Sequence, residues 1–160
     1  MSYRRDGITL LHPATVVATW FGVGLLPKAP GTWGSAAALP FAWLLMHLGG
    51  RPLLLAATLV CFLVGWWAAA VSVARTTAAD PSEVVIDEVA GQWLVLTLAP
   101  LDPVSYLVGF ALFRLFDIRK PWPVGWADAR IGGGLGVMVD DILAAGYGLL
   151  GMALLARVWP

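Results

Sequence analysis

Residues 53–74, LLLAATLVCFLVGWWAAAVSVA, run for twenty-two positions without a charged side chain. At 1.5 Å of rise per residue, a helix of that length crosses the roughly 30 Å hydrocarbon core of a bilayer. The rest of the chain agrees: 59% of its 160 residues are hydrophobic and only 12% are charged, about half the charged fraction usual in soluble domains. The expected class is an all-α, polytopic membrane bundle built as a single domain over 1–160. The formal net charge is zero, so electrostatics gives no reason to expect a nucleic-acid partner. Arg4 and Arg5 begin the chain, but Asp6, Gly7 and Pro13 interrupt the apolar core that a secretory signal needs.

Other apolar stretches are shorter. Residues 8–26 are broken by Pro13, Gly22 and Gly24 and suit a short interfacial helix. Residues 35–48 predict a short helix, Gly49–Pro52 a tight turn, and 142–156 a last helix. Between them, 89–99 and 104–116 are each short for a span and read as a tilted or re-entrant hairpin. With the N-terminus inside, crossings at 35–48, 53–74, 89–116 (out and back) and 142–156 collect Arg4, Arg5, Lys28, Arg75, Arg114, Arg119, Lys120 and Arg130 on one side. Only Arg51 and Arg157 fall opposite. The positive-inside rule makes the crowded side cytoplasmic, and three polar segments, 27–35, 75–88 and 114–141, meet there.

The last of these is the densest. From Phe113 to Asp141 it carries Arg114, Asp117, Arg119, Lys120, Asp128, Arg130, Asp140 and Asp141. Several chemistries are missing. Cys61 lies within an apolar run and has no Cys-x5-Arg motif around it. His12 and His47 lie away from the charged motifs, there is no P-loop, and Gly132–Gly136 lacks a dinucleotide fingerprint. What remains is carboxylates with a few cations and hydroxyls. Asp87, Glu88, Asp117, Asp140 and Asp141 are the candidate catalytic groups. Glu88, Asp117 and Asp140 or Asp141 lead as ligands of Mg2+, which prefers hard oxygen donors, and Asp87 stands close behind them. Crowded carboxylates repel unless a cation or raised pKa values relieve them. Lys28, Arg114 and Lys120 suit phosphoryl oxygens, and Thr32 or Ser35 suits a helix start beside Lys28.

Plainer roles stand beside these. Asp140 is equally placed to cap the helix that follows it, and Asp140 and Asp141 diverge by about 100° on a helix. Arg114 and Asp117 suit an intrahelical ion pair at i, i+3, and Glu88 shares a face with Gln92 at i, i+4. Trp122 and Trp126 read as interfacial anchors, Arg119 and Arg130 as headgroup contacts, and Asp80, Glu83 and Asp102 as loop charges.

FGVGLLPKAPGTWGS at 21–35, VIDEVAGQW at 85–93, FRLFDIRKPWPVGWAD at 113–128 and GGGLGVMVDDILAAG at 132–146 follow one another in this chain. In these segments it resembles the bacterial phosphatidylglycerophosphatase A family. The resemblance spans nearly the whole chain, with no departure at the charged positions. It implies an all-helical, Mg2+-dependent phosphatase of the bacterial inner membrane. Such an enzyme removes the terminal phosphate of phosphatidylglycerol phosphate, a phospholipid substrate, at the cytoplasmic face. Two rivals differ in sequence signature. A CDP-alcohol-type phosphotransferase wants D-x2-D-G-x2-A-R, which is absent, and a small transporter or channel wants acids inside its spans rather than at their ends.

Overall fold

The computed structural model describes residues 11–75 and 81–158, and every regular element among them is helical. Arg4, Arg5 and Asp80 lie outside the described residues. A short helix α1 (Pro13–Ala18) and one 3-10 turn (Val23–Leu25) lead into α2 (Pro30–Val73). Then follow α3 (Ile86–Leu96), α4 (Pro103–Arg119), α5 (Val124–Arg130) and α6 (Gly133–Val158).

Helix α2 is two arms. Gly50 has φ 63° and ψ −159°, a conformation open almost only to glycine, and the chain reverses there. The reversal shows in what the arms touch: Gly34 on the first packs on Val85, and Gly65 on the second packs on Ile86. A straight helix would hold those glycines about 47 Å apart. The first arm starts at Pro30, five residues before the expected boundary, with Ala29 as N-cap and no capping side chain. The Ser35 hydroxyl instead donates back to the Gly31 carbonyl at 3.0 Å, so neither Thr32 nor Ser35 caps this helix.

Helix α6 also departs from expectation. It starts at Gly133 rather than at residue 142 and takes in both aspartates. Asp140 therefore sits two turns inside the helix, and its capping role is excluded. The early start is permitted by packing: Gly134 lies against the backbone of Ala70, and Gly136 against the Ile131 carbonyl, where a side chain has no room. The 89–116 hairpin is α3 and α4, joined by a turn in which the Asp102 carboxylate accepts from the Ser105 N–H at 2.9 Å. Asp102 is thus the N-cap of α4 rather than a loose loop charge.

Among the described residues two helices, α2 and α6, are long and apolar enough to cross a membrane. The second arm of α2 points large side chains outward, with Leu55, Leu59, Val60, Leu63 and Trp67 exposed. It buries Leu54 together with the smaller Thr58, Cys61, Gly65, Ala68 and Ala69. Mostly small residues inside and most leucines outside suits the packing of helices in lipid. The arms, α3 and α6 alternate so that the start of α2, the end of its second arm, the start of α3, the end of α4 and the start of α6 gather at one end. Arg51, in the α2 turn, and Arg157, at the end of α6, lie at the other.

Candidate active site

At the gathered end, α3 brings acids in its first turn, Asp87 and Glu88, where the free N–H groups of a helix start favour negative charge. Gly91, one turn on, lies against the Phe113 ring and the Asp141 carbonyl oxygen, and this close approach draws α6 onto α3. The result is that Asp87, Glu88 and Asp141 each offer a carboxylate oxygen within 4.8 Å of the others. Asp87 and Asp141 are buried.

Helix α4 adds the positive charge. Arg114 is ion-paired to Asp117 one turn later, reaches Glu88 Oε1 at 3.7 Å and donates to the Ser35 hydroxyl at 3.4 Å. Gly31 makes this possible. A Cβ there would overlap Glu88 Oε1 and lie 3.2 Å from Arg114 Nη1. Lys120, at the C-cap of α4 with φ 43°, donates to Asp128 at 2.7 Å and to Asp140 at 2.8 Å.

The expected groups therefore divide. Asp87, Glu88, Asp117, Asp141, Arg114 and Ser35 come together. Asp140 does not join the carboxylate cluster; it faces Lys120, as the 100° offset between neighbours on a helix requires. Lys120 is engaged by two carboxylates. Lys28 is exposed, two residues before Pro30, and Thr32 is half-buried in the first turn of α2. Gly31 and Gly91 carry no chemistry of their own, and sequence reasoning passed over their part in the site.

Electrostatics sets what this cluster can hold. Burial pushes the Glu88 carboxyl up to about 7, with the Asp117 charge adding to the rise, while a hydrogen bond with Asp87 and the Arg114 charge pull it down. Burial works against the Lys120 charge, but its hydrogen bonds and attraction to Asp128 and Asp140 prevail, and its pKa is raised. Glu88 Oε2 and Asp141 Oδ2 are buried with no hydrogen-bond partner. Buried carboxylate oxygens left bare are costly, and a divalent cation relieves the cost and the mutual repulsion together. Three carboxylates are a hard-oxygen donor set of the kind that Mg2+ accepts alongside water and phosphate. The residues fit the ion.

Comparison with known proteins places the chain in a family. The sequence model of the family described as Phosphatidylglycerophosphatase A matches residues 16–156. A Haemophilus influenzae protein named phosphatidylglycerophosphatase A is 40% identical over 144 residues, covering 89% of this chain and 88% of its own. An Escherichia coli K12 protein of the same name is 32% identical over 157 residues, covering 98% of this chain and 91% of its own. No solved structure matches.

Proposed function

Because the chain belongs to the phosphatidylglycerophosphatase A family, we propose that it hydrolyses the terminal phosphate monoester of phosphatidylglycerol phosphate, releasing phosphatidylglycerol and inorganic phosphate. In this reading Asp87, Glu88 and Asp141 hold Mg2+, and Asp117 and Arg114 form the wall beside it. The observation that carries the reading is the meeting of those three carboxylates from α3 and α6 within 4.8 Å, next to an arginine fixed by Asp117.

A phosphate monoester is itself an anion, and a pocket of buried carboxylates repels it. The charge balance therefore makes a cation a condition of substrate binding. Bound Mg2+ supplies Lewis-acid charge to the phosphoryl oxygens. Arg114 is the group best placed to hold a second phosphoryl oxygen, since Asp117 and Ser35 fix its guanidinium. Lys120 is kept charged by Asp140 and Asp128. Asp128 is the more exposed partner, with its side chain 41% accessible against 7% for Asp140, so an arriving phosphate displaces Asp128 more readily.

The cytoplasmic face of the inner membrane is the proposed location. Among the described residues Lys28, Arg75, Arg114, Arg119, Lys120 and Arg130 belong to the site end, which supports that orientation by the positive-inside rule. Trp122 and Trp126, both exposed, suit the headgroup layer, where a substrate held by its acyl chains would meet the site laterally. The test is purified protein with phosphatidylglycerol phosphate, with Mg2+ or with chelator. Phosphate release with Mg2+ and its loss with chelator are expected. No release with Mg2+ present overturns the assignment.

A further inference from the structure

Gln92 lies one turn beyond Glu88 on the same face of α3. Its side chain is fully buried, at 0% exposure, and neither Nε2 nor Oε1 has a hydrogen-bond partner among the described residues. Leaving a whole amide bare inside a helical bundle is unfavourable, and such groups in native structures mark an internal water, an ion or a functional contact. The surroundings say which. Gly91, its neighbour, touches the Asp141 carbonyl, so this turn of α3 packs against the turn of α6 that carries Asp141. Glu88 Oε2 and Asp141 Oδ2, in the same cluster, are also buried with no hydrogen-bond partner. The charged donors of the site, Arg114 and Lys120, both come from α4. Gln92 is an uncharged donor on the apolar side of the cluster, where a lysine or arginine would be far costlier to bury.

We propose that Gln92 is a positioning residue of the acidic site: its Nε2–H group, through one internal water, holds the Glu88–Asp141 carboxylates in the arrangement that takes up a divalent cation. The inference rests on the cluster being a cation site. It assigns Gln92 no contact with substrate.

Two substitutions test it. Gln92→Met keeps the length and removes all polarity, and Gln92→Leu removes it with a branched side chain. Mn2+ binding is titrated by electron paramagnetic resonance on detergent-purified protein, with thermal unfolding of the cation-free protein alongside. Expected is a weakening of Mn2+ affinity of about tenfold or more in both variants, the range for groups that orient metal ligands. Cation-free Gln92→Met should melt at or above the wild-type temperature, since an unpartnered amide gives no stability to lose. With phosphatidylglycerol phosphate at saturating Mg2+, both variants should keep the wild-type KM for the lipid. Wild-type Mn2+ affinity in either variant overturns the role. Wild-type protein that binds no Mn2+ overturns the cation site itself, a separate failure read from a separate sample.

Discussion

At the scale of single residues, the site depends as much on missing side chains as on present ones. Gly31 sits where a Cβ would overlap Glu88 Oε1 and crowd Arg114. Gly31→Ala should push Glu88 off the cluster and lower phosphate release at least tenfold while leaving the helices folded, as circular dichroism would show. Asp141→Asn removes a carboxylate from the cation cluster and should abolish Mg2+-dependent release with membrane insertion intact; wild-type turnover would exclude Asp141 as a ligand. Glu88 adds a pH dependence. Its carboxyl is raised from 4.5 to about 7 in the folded chain, so the folded protein holds that proton more tightly than the unfolded one. Cation-free protein should therefore lose stability as pH rises from about 5 to 7 and change little from this group above that. Mg2+ competes for the same oxygens, so its affinity should climb through that window, by about tenfold per pH unit at most for one displaced proton. A titration flat between pH 5.5 and 7.5 would contradict this. The carboxylates and Arg114 were legible in the sequence because hard ligands and cations announce their chemistry. Gly31 was not, because PGTWGS reads as a turn and nothing local says that an arginine 83 residues later needs the space.

At the scale of elements, apolar length decided what could be read. The hairpin turn at 49–52, the second arm of α2 and the α3–α4 pair follow from hydrophobic runs and from Gly and Pro between them. The start of α6 did not. Gly132-Gly133-Gly134 has weak helix propensity, so the sequence suggested a loop, yet contact of Gly134 with Ala70 places the chain in a helix from Gly133. That displacement changes the chemistry. Inside a helix, Asp140 and Asp141 point to different partners, one to Lys120 and the other to Asp87 and Glu88. The α2 turn offers an independent check. A Cβ at Gly50 would meet Pro52 Cδ at an ordinary 3.8 Å, but the backbone there has a conformation that side chains avoid. Gly50→Ala should cost about 1–3 kcal/mol of stability, read from unfolding in mixed detergent. Activity per folded molecule should be unchanged, because the turn lies at the end of the bundle away from the acids.

At the scale of the whole molecule, the separation of polar ends fixes how the protein can sit in a bilayer. Acids and cations from α3, α4 and α6, with Lys28 just before α2 and Arg75 just after it, gather at one end, while Arg51 marks the α2 turn at the other. The stretch between is faced with Leu55, Leu59, Leu63, Leu107, Leu150 and Leu154, all exposed. Leucines turned outward on three helices leave water as an unfavourable neighbour and lipid as a favourable one. The two ends should then be reachable from opposite sides. In cells expressing Lys28→Cys or Arg51→Cys, a membrane-impermeant maleimide should label Arg51→Cys from outside. It should label Lys28→Cys only after the inner membrane is opened. Native Cys61 is buried on the second arm of α2 and should contribute little background. The reverse pattern would move the acidic site to the outer face. It would also break the positive-inside argument, since six of the eight described cations would then have crossed the membrane.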